Sequence, residues 1–183
     1  MSALPAARIS LRLRDINQLF NSLDPSPFLD RDLDRDVEEF IVSWARESRR
    51  NLPFEVVIHL GTNPDPHRAQ EAQDAVRRYF VARAELKQRE LHQLLRRAYF
   101  VLTIGVLFLT TCLSVAAMAR RVFSEGTADI VREGMVIVGW VAMWRPLEIY
   151  LYDWWPFRKD WLLLQRLADA KVRLVPPVTT PAV

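Results

Sequence analysis

The apolar positions of this chain change period several times, and each change marks a different element. At residues 8–14, Ile9, Leu11 and Leu13 alternate with Ser10, Arg12 and Arg14, the period of a half-buried strand. A short turn or helix is expected over 15–23, and Asp24-Pro25-Ser26-Pro27 is a break. Over 30–49, Leu33, Val37, Phe40, Ile41 and Trp44 fall on one helical stripe. Asp30 or Asp32 is the expected cap, and Arg46, Arg49 and Arg50 at the end complement the helix dipole. Residues 54–60, FEVVIHL, form a β-branched run closed by Gly61 and predict a strand. The order strand, helix, strand fits either a parallel crossover or a split antiparallel pair.

Asp65-Pro66 then opens a helix, with Asp65 as the expected cap and Pro66 in the first turn. No Gly or Pro interrupts the chain again before Gly105. Residues 66–97 are rich in charge and predict a stalk of about 48 Å. Residues 98–119 then contain no charged residue between Arg96-Arg97 and Arg120-Arg121. This stretch of about 22 residues spans about 33 Å as a helix, the thickness of a bilayer's hydrocarbon core.

A polar loop is expected over 120–133. Residues 134–152 predict a second membrane helix, although the purely apolar part ends at Trp144, before Arg145, Pro146 and Glu148. The exit is expected at 153–156, where Trp154, Trp155, Phe157 and Trp161 sit beside Arg158 and Lys159, the chemistry of a membrane–water boundary. A short helix over 161–170 and a strand over 171–175 follow, and the tail 176–183 is expected to be disordered. The predicted fold is thus a membrane α-helical hairpin of two transmembrane helices, with a small cytoplasmic α+β unit (1–64) and a long helical stalk (65–97).

Whole-chain averages conceal this layout. The 183 residues are half apolar with a net charge of +3, values that suit a soluble domain. The small basic excess matches residues flanking membrane segments rather than a nucleic-acid surface, so no nucleic-acid partner is expected. Arg83, Lys87, Arg89, Arg96 and Arg97 precede the first apolar segment, and Arg158, Lys159, Arg166, Lys171 and Arg173 follow the second. Between them Arg120, Arg121 and Arg132 are offset by Glu125, Asp129 and Glu133. The positive-inside rule therefore puts both termini in the cytoplasm. Residues 1–14 lack the apolar stretch of a signal peptide, so the first span is expected to be an uncleaved anchor.

Chemistry-bearing motifs are sparse. Asp30, Asp32, Asp34 and Asp36 have the spacing of a calcium loop, but Arg35 stands where that loop needs Gly and Ile41 where it needs Glu. They read as a solvated helix start. His59, His67 and His92 lack ligand spacing, and Cys112 is the one cysteine. No metal, cofactor, nucleophile–base pair or carboxylate pair is expected, and the chain reads as a non-enzyme.

Two sets of residues invite a functional reading. Thr103, Thr110, Ser114 and Ala117 share one face of the first span, and Gly139, Ala142 and Pro146 share one face of the second. Small residues let membrane helices approach closely, either within the hairpin or between protomers of a homo-oligomer. Arg145 and Glu148 are three residues apart and can pair. They either snorkel to the cytoplasmic boundary or line an ion path or oligomer contact.

The segments VRRYFVARAELKQRELHQLLRR and GWVAMWRPLEIYLYDWWP resemble those of uncharacterised bacterial proteins with two membrane helices. That resemblance implies topology and a bacterial inner membrane, with no activity attached. The expected function is a non-enzymatic, membrane-anchored scaffold or interaction protein whose partners are the lipid bilayer and an unidentified protein. The alternative is a subunit of an oligomeric channel or transporter using Arg145 and Glu148.

Overall fold

The computed structural model describes residues 6–48 and 52–177. Among the described residues three strands and four α-helices occur in the order β1 (Ala7–Leu13), α1 (Arg35–Glu47), β2 (Phe54–Leu60), α2 (Pro66–Val122), α3 (Glu125–Glu148), α4 (Trp154–Ala168) and β3 (Lys171–Val175). Short 3₁₀ turns at Ile16–Leu19 and Phe28–Asp30 link β1 to α1, and a π-helical turn at Ile149–Asp153 joins α3 to α4. The chain divides into two compact units, Met1–Lys87 with Asp160–Val183, and Gln88–Lys159.

In the first unit the strands form one sheet of order β1-β2-β3, and both pairings are parallel. This resolves the choice left open above: β1 and β2 are joined by a parallel crossover and are not a split antiparallel pair. The chain from Gly61 to Ala170 is the second crossover, so everything between β2 and β3 is inserted into a β–α–β connection.

Register places Ile9 beside Val56 and Val56 beside Val172, then Leu11 beside Ile58 and Ile58 beside Leu174. These side chains point to one face and pack with Val37, Ile41 and Ala45 of α1, Ala72, Ala75, Val76 and Phe80 of α2, and Leu164, Leu167 and Ala168 of α4. All three helices therefore cover the same face. Each large side chain buried here contributes about 1.5–3 kcal/mol.

α1 is amphipathic because Val37, Ile41 and Ala45 recur every four residues. It begins later than 30. Asp34 is its cap, accepting Asp36 N–H at 3.0 Å, and a bridge between Phe20 and Leu33 holds the preceding residues extended. Glu38 ties α1 to α2, receiving the Tyr79 hydroxyl at 2.7 Å and Arg83 Nε and Nη2 at 2.9 and 3.0 Å.

α2 runs unbroken over 57 residues. Asp65 accepts the Ala69 N–H through its carbonyl at 2.9 Å. The loop expected over 120–133 is instead two residues, Phe123 and Ser124, and α3 starts at Glu125. The charges of this stretch stay exposed on the helix, and the Ser124 carbonyl accepts the Ala128 N–H at 2.8 Å. The expected exit at 153–156 is likewise helical: Asp153 closes the π turn and Pro156 is the third residue of α4. β3 lies where the sequence places it. The expected disordered tail falls, beyond Pro177, outside the described residues.

Candidate functional site

The second unit is organised by a seam of small residues. On α2, Leu91, Ala98, Gly105, Cys112 and Ala119 are buried at intervals of seven, with Ala116 beside them. A seven-residue recurrence keeps one stripe of a helix against a partner. From Gly105 to Ala119 that partner is α3, whose buried residues are Ala128, Gly139, Met143 and Pro146. A Cβ at Gly105 would lie 3.1 Å from Met143 Sδ and 3.2 Å from Pro146 Cγ. A Cβ at Gly139 would lie 2.8 Å from Leu109 Cδ1 and 3.3 Å from Cys112 Cβ. The two glycines thus set the distance between two antiparallel helices. At the closed end Arg120 Nη2 reaches Asp129 Oδ1 at 3.4 Å.

Of the residues singled out above, Gly139 and Pro146 are buried in this seam, and the Ala142 carbonyl approaches Gly105. Thr103, Thr110, Ser114 and Ala117 are exposed and do not join it. Their hydroxyls are satisfied locally: Thr103 donates to Tyr99 O at 2.9 Å, Thr110 to Val106 O at 2.7 Å and Ser114 to Thr110 O at 2.8 Å. Bonded to their own helix, they need no partner helix. The interhelical stripe is instead Gly105, Leu109, Cys112, Ala116 and Ala119. The interval from Ala98 to Gly105 to Cys112 to Ala119 was the available signal.

The surface around this seam is apolar. Phe100, Leu107 and Met118 of α2, and Ile137, Trp140 and Trp144 of α3, are all more than half exposed. α2 is long and apolar enough to cross a membrane, and its most apolar window is only 17% buried. α3 is shorter and carries Glu125, Asp129, Arg132, Glu133, Arg145 and Glu148.

Arg145 Nη1 and Glu148 Oε2 form an ion pair at 2.9 Å near the end of α3. Their side chains are 69% and 42% exposed, so the pair faces outward, away from the seam that holds Pro146. The π turn follows, with Tyr150 and Tyr152 exposed, and then Trp154 and Trp155 meet edge to face at 6.2 Å. Arg158 lies over the Trp154 ring at 5.5 Å and Lys159 over Trp155 at 4.9 Å. Cations stacked on aromatic rings combine the two chemistries of a headgroup boundary.

Three polar clusters of the first unit stand out among its described residues. In the middle of the sheet's uncovered face, Glu55 is buried and receives Arg8 Nε at 3.2 Å and Arg173 Nε at 3.1 Å, so one carboxylate links all three strands. Around Glu38, burial and then the Glu38 carboxylate push the Tyr79 hydroxyl's pKa upward. Asp24 accepts the Asp32 N–H at 2.7 Å and the Ser26 N–H at 2.9 Å, and these bonds lower its pKa to about 2.

Among the described residues no group of three or more His, Cys, Asp or Glu is placed to hold a metal ion. The four aspartates are separated by use: Asp30 lies 3.6 Å from Arg78, Asp32 gives its N–H to Asp24, Asp34 caps α1, and Asp36 supplies the capped N–H. His67 is 3.4 Å from Glu71, His92 Nδ1 is 2.8 Å from Gln88 O, and His59 lies in β2. The chain matches no protein-family model, no curated protein and no solved structure.

Proposed function

We propose that this chain is a non-enzymatic, membrane-anchored scaffold or interaction protein of the bacterial inner membrane, with α2 and α3 as a two-span hairpin and both termini in the cytoplasm. The observation that carries the reading is the pairing of a small-residue seam with an apolar exterior. A soluble helix pair buries its large apolar side chains and exposes polar ones. Here Gly105, Cys112, Ala116 and Gly139 lie inside while Phe100, Leu107, Trp140 and Trp144 lie outside. Lipid is the environment that satisfies that inversion. α3 completes its crossing through the π turn, and Arg145 and Glu148 sit at the cytoplasmic boundary among Trp144, Tyr150, Trp154 and Trp155.

Alkaline carbonate extraction of membranes from an expressing bacterium tests the anchor. The chain should stay in the pellet and be released only by detergent. Release by carbonate overturns the reading.

The exposure of the Arg145–Glu148 pair favours a second reading, a subunit of an oligomeric channel or transporter in which neighbouring copies cover it. Two helices enclose no path, so that reading requires a ring. The mass of the particle in nanodiscs separates the two, because a monomer removes the channel and a stable ring promotes it.

A further inference from the structure

β3 is an outer strand. It pairs with β2 from Glu55↔Lys171 to His59↔Val175, and among the described residues no strand pairs with its other edge. Alternate residues of such an edge present N–H and C=O groups that a further strand can use. Beside the edge runs a groove of about 380 Å³, with Gln73, Asp74 and Arg77 of α2 as one wall and Asp169, Lys171 and Arg173 along the other.

The charge of this region selects the occupant. The groove carries Arg77, Lys171 and Arg173 against Asp74 and Asp169, and the uncovered face carries Arg8 and Arg12 on β1 and Lys171 and Arg173 on β3 against one carboxylate, Glu55. Glu55 is only 8% exposed and already held by Arg8 and Arg173. Lys171 is exposed and has no ion pair among the described residues. A second copy is a poor fit: antiparallel pairing of two β3 strands about their centre sets Arg173 opposite Arg173, and like charges directly opposite destabilise a sheet. Single-stranded nucleic acid is also a poor fit, because among the described residues this face carries no Phe, Tyr or Trp on which bases stack, His59 being its one aromatic ring.

We propose that the edge of β3 accepts an extended acidic segment of another protein as a fourth strand. Its backbone pairs with β3, and alternate carboxylates meet Lys171 and Arg173 while the side chains between them face Gln73 and Arg77. This rests on the reading of the chain as an interaction protein and names the class of partner.

The probe is the peptide acetyl-Glu-Val-Glu-Val-Glu-Val-amide, titrated onto the full chain in nanodiscs and followed by fluorescence anisotropy and amide exchange. Saturable binding should slow exchange at 171–175, weaken with added salt, and fall about fivefold in Lys171→Glu, the worth of one strong cross-strand pair. The same peptide with Lys for Glu should not bind. A peptide N-methylated along one backbone edge should lose binding when the methyls fall on the pairing edge and keep it when they fall on the other. Absence of binding, indifference to methylation on either edge, protection elsewhere than β3, or preference for a single-stranded oligonucleotide overturns the proposal. Failure of the anchor is scored separately. A chain that binds the peptide without embedding in the disc keeps the strand addition and loses the anchor; one that embeds without binding does the reverse.

Discussion

Gly105 of α2 faces Pro146 of α3 so closely that a methyl group on the glycine would stand 3.2 Å from the proline ring carbon. Pro146 has no N–H to give its own helix, and here its flat ring fills the space that the glycine leaves. One residue that disfavours helices is thus packed against another, and both remain within helices.

Gly105→Ala should cost about 1 kcal/mol and Gly105→Leu about 3 kcal/mol or more, because the rigid Pro146 ring cannot rotate away as a methionine can. Gly139→Ala should cost less than Gly105→Ala, since its closest neighbour is the free end of Leu109. Thr110→Leu, on the exposed face, should be within about 0.5 kcal/mol of the parent. Thermal or denaturant unfolding in detergent micelles checks the order. Equal losses at Gly105 and Thr110 would contradict the seam.

The Arg145–Glu148 pair is exposed and should contribute about 0–1 kcal/mol. Glu148→Gln should leave membrane insertion and expression nearly unchanged, and Arg145→Lys should be tolerated. Replacing both by Leu should still give folded, inserted protein. Loss of a defined oligomer in any of these variants, measured as particle mass in nanodiscs, would move the pair from the boundary to a protomer contact.

Glu38 joins α1 to α2 through one phenol and one guanidinium. Tyr79→Phe should destabilise the first unit by about 1.5 kcal/mol, the low end of what a hydrogen bond to a charged group contributes. Glu38→Gln should cost more, because Arg83 then loses its ionic partner. The Tyr79 phenol should stay protonated when exposed tyrosines ionise, visible as a delayed step in the ultraviolet absorbance of an alkaline titration. Its raised pKa stabilises the fold below the ordinary tyrosine range, and that contribution fades as pH rises through the folded value.

Asp24 works with the opposite sign. Its carboxylate is held at about 2 in the folded chain against an ordinary value of 3.8, so its contribution is complete above about pH 4 and is lost as pH falls toward about 2. Amide exchange at Ser26 and Asp32 should accelerate across that window and should be insensitive to it in Asp24→Asn. Unchanged exchange in the parent would show that the carboxylate does not order the loop.

The parts of this fold written in short-range pattern were legible from sequence. FEVVIHL is β-branched and ends at Gly61, and KVRLV alternates, so β2 and β3 were readable one by one. Their parallel pairing was not, because it joins segments more than a hundred residues apart. The unbroken course of α2 through Arg96-Arg97 followed from the absence of any breaker after Pro66. Errors came where charge was taken for loop. Asp129, Arg132 and Glu133 lie on an exposed helical face, and Pro156 lies within α4, directly after the π turn. Among four alternating aspartates, only the Phe20–Leu33 bridge identifies Asp34 as the cap. For the seam, the small-residue face of Thr103, Thr110, Ser114 and Ala117 is not the one that meets α3, and the seven-residue recurrence from Gly105 to Ala119 marks the one that does.

The central claim is that α2 and α3 cross the membrane as a hairpin, with the turn outside and the sheet inside. The direct measurement is labelling of single cysteines, in a Cys112→Ala background, by a membrane-impermeant maleimide on intact inner-membrane spheroplasts. Positions 126, 62 and 158 are compared before and after lysis. The account predicts that position 126 labels in intact spheroplasts, while 62 and 158 label only after lysis. Labelling of 62 and 158 on opposite sides would mean that α3 does not cross. Labelling of position 126 only after lysis, together with the other two, would contradict the hairpin altogether.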